Sequence, residues 1–558
     1  MTTKRIKNAD FSQFLLGIAL LAVGAFHEYL SCAISVAMLI WLLYRGCMHK
    51  QFTVYLNITS ASLLCIVTFY GITAFWAVDS GMALIGFVKF LPVLLYLFVL
   101  FQTENAETFR LWLPYLAAAM TVISAIGMQI PVLMAYFSVA GRLAGFFQYS
   151  NTFALFVLVA ELLVLSKENM HLLDYLVVAV LLFGILYSGS RTVFLLMIAS
   201  NAFLVIAAKK GRTRLVAIAA VGVLVVGVLI IALVSNKAGV LGRFLAISFS
   251  ESTFVGRLLY FRDALPVILR HPFGLGYMGY YYIQQSVQSG VYAVMFVHND
   301  FLQLLLDVGW IPALLFTVAV VKAIFGKGKP LYKRVILSVM LLHSCFDFNL
   351  QYVAVFMLLL LLTDYKTGKA YSLRCSGWLG SALIMLMLGS LYFGVALGLA
   401  HFGNYSAAYA LYPLDTRSET QLLIGETNSK KAVRLADDIL HRNTHVTVAY
   451  SVKARQAYSS GDFAELIHIK HQIFQNAPFV YEEYEEYCYM LMTGIRLYEK
   501  AGDEASARIC LQELNRAARE VHTAKSRLSS LGTKIKDQPT VQLPEDIEEY
   551  IQAEASAK

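Results

Sequence analysis

Residues 171–208 have the sequence HLLDYLVVAVLLFGILYSGSRTVFLLMIASNAFLVIAA, and this stretch decides the fold class. Two apolar runs, 171–187 and 190–208, are joined by a tight turn around Gly189. Each run approaches the roughly 20 residues that an α-helix needs to cross the hydrocarbon core of a bilayer. Because lipid cannot hydrogen-bond to a backbone, such runs must be helical. The stretch therefore predicts two antiparallel membrane-spanning helices.

The composition extends this pattern to most of the chain. The 558 residues are 58% hydrophobic and 15% charged, whereas soluble domains are about 45–50% apolar and about 25% charged. A soluble enzyme, a disordered chain and a secreted disulfide scaffold are excluded. The predicted fold class is all-α: a polytopic transmembrane helical bundle of about 12–13 spans. The candidate spans are 11–27, 28–44, 53–77, 82–101, 111–130, 145–166, 171–187, 190–208, 213–234, 299–325, 333–348, 350–364 and 378–400.

The distribution of Lys and Arg predicts which way the spans face. With the N-terminus in the cytoplasm, the cytoplasmic segments hold 19 Lys and Arg and the outward segments before residue 400 hold seven. This asymmetry follows the positive-inside rule. Residues 1–400 have a net charge of +13 and residues 401–558 a net charge of −4. The net positive charge of the chain therefore comes from the membrane loops and does not indicate a nucleic-acid partner.

Two domains are predicted from this topology. Residues 1–400 form a transmembrane domain with a large extracytoplasmic loop at 235–298, and residues 401–558 form an extracytoplasmic helical domain. In the second domain, Gly461-Asp462 recurs 41 residues later as Gly502-Asp503, with apolar positions spaced for paired helices. This pattern is typical of tetratricopeptide-like repeats. An ordinary helical hairpin bundle is the alternative.

Several charged residues face outward, where the positive-inside rule leaves few. Arg142, Arg191, Arg257 and Arg262 lie in outward turns or in the long loop, and His298-Asn299 ends that loop. The planar guanidinium group matches phosphate oxygens in pairs. Histidine has an unperturbed pKa near 6.5, which suits it to accept a proton near neutral pH. These residues predict binding of a diphosphate beside a general base.

Three further residues are candidates for substrate binding, and each could have a structural role instead. Tyr277 is expected to contact a sugar ring, although tyrosine also belongs to the interfacial aromatic belt. Asn299 is expected to bind substrate, although it could simply cap the helix that follows. Asp347 is expected to orient a substrate hydroxyl, although its i, i+4 spacing from His343 also predicts a local pair on one helix face.

No paired-aspartate motif for a metal ion occurs in the outward segments, and the seven Cys residues are scattered. We therefore expect neither a metal site nor another cofactor. Two or three arginines could neutralise a lipid-linked diphosphate as it leaves, while His298 accepts a proton from a sugar hydroxyl. These residues alone do not distinguish such a transferase from an anion transporter.

The chain resembles the O-antigen ligase and polymerase superfamily of bacterial inner-membrane proteins over about residues 10–365. The most specific part is the block from His271-Pro272 to Gly309. The other pieces that carry the resemblance, in order, are Trp76-Ala77-Val78-Asp79-Ser80, Arg142-Leu143-Ala144-Gly145-Phe146-Phe147 leading to Asn151, Ser188-Gly189-Ser190-Arg191, Gly256-Arg257 and His343 to Phe348.

The resemblance implies a metal-independent membrane glycosyltransferase in the bacterial cytoplasmic membrane with an undecaprenyl (polyprenyl) diphosphate glycan donor. It implies that His298 is catalytic and that Arg191 and Arg257 bind the diphosphate. The chain departs from the usual ligase by a thirteenth span and an outward repeat domain, so the acceptor is open to a glycan, a lipid or a protein. The repeats suggest a protein partner as well.

Three functions remain open at this point. The first is a ligase that moves a glycan to an acceptor, and the second is a polymerase that joins repeat units on the same lipid carrier. The third is a polysaccharide exporter, but transporters more often have internal repeats among their spans and charges at mid-membrane. A non-catalytic scaffold is a further alternative because of the repeat domain.

The topology makes a direct prediction for labelling of single cysteines in a cysteine-free background. In intact cells, an impermeant maleimide should label positions in 401–558 and should reach 209–214 only after permeabilisation, because charged loops follow the positive-inside rule. Protection of the tail together with labelling of 209–214 would contradict the orientation.

Overall fold

A computed structural model of the chain describes residues 11–104, 106–207, 252–535 and 542–556, together with the isolated positions 216, 220 and 227. Most of these residues are helical, and the all-α polytopic class is confirmed. Helices α1 to α24 are numbered here in chain order among the described residues. The predicted span at 213–234, the basic run at 209–214 and the first part of the long loop lie outside the described ranges.

The helices before residue 402 include every candidate span that the structure describes. Their bounds are α1 Phe11–Leu21, α2 Glu28–His49, α3 Ile58–Ile72, α4 Ser80–Phe101, α5 Phe109–Gly127, α6 Pro131–Phe137, α7 Ser150–Leu165, α8 Leu172–Ser188, α9 Arg191–Ala207, α10 Ser252–Arg270, α11 Gly279–Val287, α12 Asp300–Val308, α13 Trp310–Phe325, α14 Leu331–Ser344, α15 Val353–Leu362 and α16 Gly377–His401.

Among the residues that the structure describes, five helical segments are long and apolar enough to cross a membrane: Glu28–His49, Ile58–Phe75, Ser80–Phe101, Ala106–Gly127 and Gly377–His401. Six shorter apolar helices, of 10–17 residues, accompany them. Together they make the chain a multi-pass membrane protein. The shorter helices coincide with candidate spans of the hydropathy pattern, but several of those spans contain breaks in the helix.

Two breaks differ from the predicted continuous spans. The segment 11–27 is helical only to Leu21, after which Gly24 adopts a left-handed conformation with φ 62°. The segment 299–325 is split into α12 and α13 at Gly309, whose φ of 82° and ψ of −172° are available mainly to glycine. Hydropathy sums apolar residues along a window, so it does not detect a single residue that changes the backbone direction.

Two short antiparallel sheets connect segments near the ends of helices. Strand β1, Gln51–Leu56, pairs with β4, Lys369–Arg374, and strand β2, Ser138–Val139, pairs with β3, Arg142–Leu143. The first pair joins two segments that the predicted topology places in the cytoplasm, and the second joins two outward segments. Each pairing is compatible with the predicted sidedness.

The chain divides into two compact units, which are described separately. The first unit comprises Met1–Gly71, Ile85–Ser248 and His298–Leu397. The second comprises Ile72–Leu84, Phe249–Val297 and Gly398–Lys558. Most of the long loop therefore packs with the tail in the second unit.

The secondary structure described for the tail is α-helical, apart from one 3₁₀ turn at 532–534. Gly461 lies between the helices Thr447–Ser459 and Phe463–Asn476, and Gly502 lies between the helices Tyr481–Ala501 and Glu504–Arg527. The tetratricopeptide assignment stays a prediction. The tail helices are α17 Tyr405–Leu411, α18 Thr416–Gly425, α19 Ser429–Arg442, α20 Thr447–Ser459, α21 Phe463–Asn476, α22 Tyr481–Ala501, α23 Glu504–Arg527 and α24 Glu545–Ser556.

Close packing of α22 against the start of α21 predicts a large effect for one glycine. A Cβ atom at Gly494 would lie 2.5 Å from Cε1 of Phe463, whose side chain is buried in the core of the tail. Gly494→Leu should lower the free energy of unfolding by about 1–3 kcal/mol through overpacking. Gly425→Leu is the matched control, because a Cβ at Gly425 meets no atom within 4 Å. Equal thermal stability of the two full-length variants would contradict this packing.

Candidate active site

The N-terminus of α12 is fixed to the loop that follows α14, within the first unit. The Asn299 carboxamide oxygen accepts from the backbone nitrogens of Phe301 and Leu302, and its Nδ2 donates to the carbonyl of Cys345 at 2.9 Å. The Asp300 carboxylate accepts from the nitrogen of Leu350 at 3.0 Å. Asn299 thus takes the capping position that the sequence offered as the alternative to substrate binding.

His298 immediately precedes this cap and has an uncommon backbone conformation. Its φ of 55° is in the left-handed region, which costs a residue with a Cβ free energy and recurs at functional sites. Its Nδ1 lies 3.3 Å from Oδ1 of Asp347, and its ring packs edge-on against Phe348 with centroids 4.9 Å apart. The imidazole is therefore held beside a carboxylate by the same loop that fixes the helix cap.

Asp347 is a buried carboxylate with several donors. It is 1% exposed, and it accepts from the Tyr149 hydroxyl at 2.8 Å and from Nδ2 of Asn151 at 2.8 Å. The expectation that His343 and Asp347 share one helix face is wrong, because α14 ends at Ser344, before Asp347. The Nδ1 of His343 lies 3.1 Å from Oδ1 of Asn349.

Arg142 extends this chain of contacts to the end of α8. Its Nη2 donates to Oδ1 of Asn151 at 2.7 Å, and its Nε donates to the carbonyl of Ser188 at 2.7 Å. Ser188 ends α8, Gly189 turns the chain with φ 60°, and Arg191 begins α9. The structure thus connects Arg142 to His298 through Asn151 and Asp347, and places Arg191 three residues beyond the Ser188 contact.

The other predicted residues belong to the second unit. Arg257 and Arg262 lie on α10, the first partly buried and the second exposed. Tyr277 is 1% exposed, so its ring is part of the interior packing of the unit. Stacking of Tyr277 on a sugar would require the loop to rearrange.

Two buried tyrosines, Tyr280 and Tyr292, contact each other, and Tyr292 also contacts α10. The hydroxyls of Tyr280 and Tyr292 lie 3.1 Å apart, and Tyr292 donates to Asp263 of α10 at 3.1 Å. Burial raises the pKa of Tyr292 well above its ordinary range, and the adjacent Tyr280 and Asp263 raise it further. Tyr292 therefore remains a protonated donor to the Asp263 carboxylate at any physiological pH.

An apolar groove lies between α5 and α8 in the first unit. Its volume is about 460 Å³, and its lining is Val122, Ala125, Ile126, Gln129, Ala179, Val180 and Phe183. Phe183 precedes Ser188 by five residues, which is about 7.5 Å along the helix. The groove therefore approaches the end of α8 that Arg142 contacts. In the described parts of the chain, no group of three His, Cys, Asp or Glu side chains has a metal-binding arrangement.

Tyr149 and Asn151 are uncharged partners of Asp347, and the sequence analysis did not predict them as site residues. Asn151 followed the Arg142 motif in the sequence, but neutral side chains carry no charge signal that would identify them. Their pairing with Asp347 spans nearly 200 residues of sequence, so local spacing could not reveal it.

A family model described as O-antigen ligase matches residues 176–317. The match spans α8 to α13 and includes His298, Arg191 and Arg257, whereas Arg142 and Asp347 lie outside it. It supports the resemblance to the O-antigen ligase superfamily and a general role in glycan transfer. A comparison with curated proteins finds no significant match.

The buried donors around Asp347 predict a measurable loss of stability. Asp347→Ala leaves the Tyr149 hydroxyl and the Asn151 amide without this acceptor, which should cost about 1–3 kcal/mol. Asp437→Ala is the control, because Asp437 is paired with Lys453 at an exposed position, where an ion pair contributes about 0–1 kcal/mol. Thermal unfolding in detergent gives the comparison, and a smaller loss for Asp347→Ala than for the control would contradict the network.

Proposed function

We propose that this protein transfers a glycan from a polyprenyl diphosphate carrier to an acceptor hydroxyl on the outer face of the bacterial cytoplasmic membrane. The observation that carries the proposal is the placement of His298 beside the buried Asp347, at the end of a chain of contacts from Arg142. The family match over residues 176–317 supports glycan transfer as the class of reaction.

Asp347 is the partner that orients the proposed base. A carboxylate beside Nδ1 favours the tautomer that carries its proton on Nδ1, which leaves the lone pair on Nε2. Tyr149 and Asn151 donate to the same carboxylate, so its orientation does not depend on His298 alone. In the proposed reaction, Nε2 of His298 accepts the proton of the acceptor hydroxyl.

The bond changes follow from that assignment. The acceptor oxygen forms a bond to the anomeric carbon of the glycan, and the bond from that carbon to the diphosphate oxygen breaks. The polyprenyl diphosphate leaves with the bonding electrons. Arg191 and Arg257 are proposed to bind this leaving group, because guanidinium groups match its oxygens and offset its charge. This assignment needs no metal ion to share that charge.

The groove between α5 and α8 supports a lipid-linked donor. Its lining is nearly all apolar, and it approaches the end of α8 next to Arg142 and Arg191. A polyprenyl chain would bury apolar surface there while its diphosphate lay near the arginines. The donor would then reach the site laterally from the outer leaflet.

Ligase and polymerase share this chemistry and differ in the acceptor. We favour a ligase because the extra outward domain offers a surface for a separate glycan, lipid or protein acceptor. A polymerase that extends the chain on the same lipid carrier is the second candidate, and an exporter is the third. One transfer for each acceptor indicates a ligase, whereas a ladder of products on the carrier indicates a polymerase.

Removal of the proposed base tests the assignment. His298→Ala should slow transfer from polyprenyl diphosphate by about 10²–10⁴-fold, because that is the usual contribution of a positioned general base. The control is His522→Ala, since His522 is exposed in the tail. Turnover is measured in liposomes with equal amounts of each folded variant. Undiminished turnover by His298→Ala would exclude His298 as the base.

A further inference from the structure

Helix α10 carries Arg257 and Arg262, and a buried carboxylate on the same helix ties it to the end of the long loop. Asp263 is 6% exposed. It accepts from the backbone nitrogen of Ser289 at 2.8 Å and from the Ser289 hydroxyl at 2.6 Å. Ser289 therefore joins the end of the long loop to α10, beside the contact that Tyr292 makes with the same carboxylate.

The tail binds Ser289 on its other side. The backbone nitrogen of Ser529 donates to the carbonyl of Ser289 at 2.8 Å, and a hydrogen bond joins the two hydroxyls at 3.1 Å. Ser529 is buried, and its hydroxyl also accepts from the backbone nitrogen of Gly532 at 3.0 Å. A short segment after α23, residues 529–532, thus makes both main-chain and side-chain contacts with the loop.

Two glycines allow these segments to approach each other. A Cβ atom at Gly290 would lie 2.6 Å from Cα of Gly532 and 2.9 Å from Cδ2 of Leu259 on α10. A Cβ atom at Gly532 would lie 2.3 Å from the carbonyl oxygen of Ser289. Neither glycine has a positive φ. An alanine would therefore act by steric conflict at the contact and not through backbone strain at its own position.

We infer that residues 529–532 of the tail form a clamp that positions α10, and through it the diphosphate-binding Arg257. Leu259 and Asp263, the two residues of α10 in this contact, follow Arg257 by two and six positions on the same helix. Ser529 and Gly532 are thus positioning residues for the donor side of the reaction. This inference rests on the proposed function, because it takes Arg257 as a ligand of the donor diphosphate.

The clamp gives the tail a role that differs from acceptor recruitment. A tail that only recruits an acceptor should change acceptor affinity when altered and leave donor affinity unchanged. A tail that positions α10 should change donor affinity in the same direction as removal of Arg257. The two roles are therefore separable by binding measurements on the full chain.

The contact between Ser289 and Ser529 can be tested without an activity assay. Ser289→Cys combined with Ser529→Cys should form a disulfide under mild oxidation in the full-length protein, because the two hydroxyls are 3.1 Å apart. Adding Gly532→Ala should lower its yield about tenfold through overpacking. Gly425→Ala is the matched control, since a Cβ there meets no atom within 4 Å. Peptide mass spectrometry separates this disulfide from any that involves the seven native cysteines.

Donor positioning is tested with undecaprenyl diphosphate as the probe, bound to the full-length protein in nanodiscs. Arg257→Ala should weaken binding about tenfold or more, the usual loss for hydrogen bonds to a charged group. Gly532→Ala should weaken binding in the same direction, and Gly425→Ala should not. Ser529→Ala is a milder variant that keeps the backbone contact, so it tests the clamp if Gly532→Ala does not fold.

The possible outcomes separate the two proposals. Weaker probe binding by Gly532→Ala or Ser529→Ala, with wild-type acceptor affinity, supports the clamp. Weaker binding by Arg257→Ala alone overturns the clamp and leaves the proposed function in place. Absence of probe binding by the wild-type protein overturns the proposed donor and with it the positioning role. A disulfide yield unaffected by Gly532→Ala overturns the contact.

Discussion

Asp347 is a carboxylate almost without access to water, and a charge in that position must be compensated by donors. The hydroxyl of Tyr149 and the amide of Asn151 supply them, and Asn151 in turn accepts from Arg142. The requirement to satisfy one buried carboxylate thereby joins the start of α7, the loop after α6 and the loop after α14. The position of His298 beside Asp347 depends on the same contacts.

The break at Gly309 has a consequence for this arrangement. It separates α12 from α13, so the cap at Asn299 begins a short helix of nine residues. At the other end of that helix, Asp307 accepts from the Tyr70 hydroxyl at 3.0 Å and from Nε2 of Gln303 at 2.9 Å. Both ends of α12 are therefore fixed by side-chain hydrogen bonds, which limits how far His298 can move relative to Asp347.

The sequence predicted the all-α polytopic class because apolar length is a summed property of a segment. It did not predict the break at Gly309 or the end of α14 before Asp347, and Tyr277 proved to be buried. Each of these depends on the environment of a single residue, which periodicity does not report. Similarly, the sequence is compatible with Asn299 as a helix cap or as a ligand of the substrate, and the capping contacts appear only in the structure.

The proposed reaction is metal-independent transfer of a glycan from polyprenyl diphosphate at the outer membrane face. The most direct measurement is the release of free polyprenyl diphosphate from a glycan-loaded carrier by the purified protein in liposomes, with an acceptor present and with EDTA. We expect one polyprenyl diphosphate to be released for each glycosidic bond formed, and we expect EDTA to leave this release unchanged. Loss of release with EDTA that a divalent ion restores, or release without a new glycosidic bond, would contradict it.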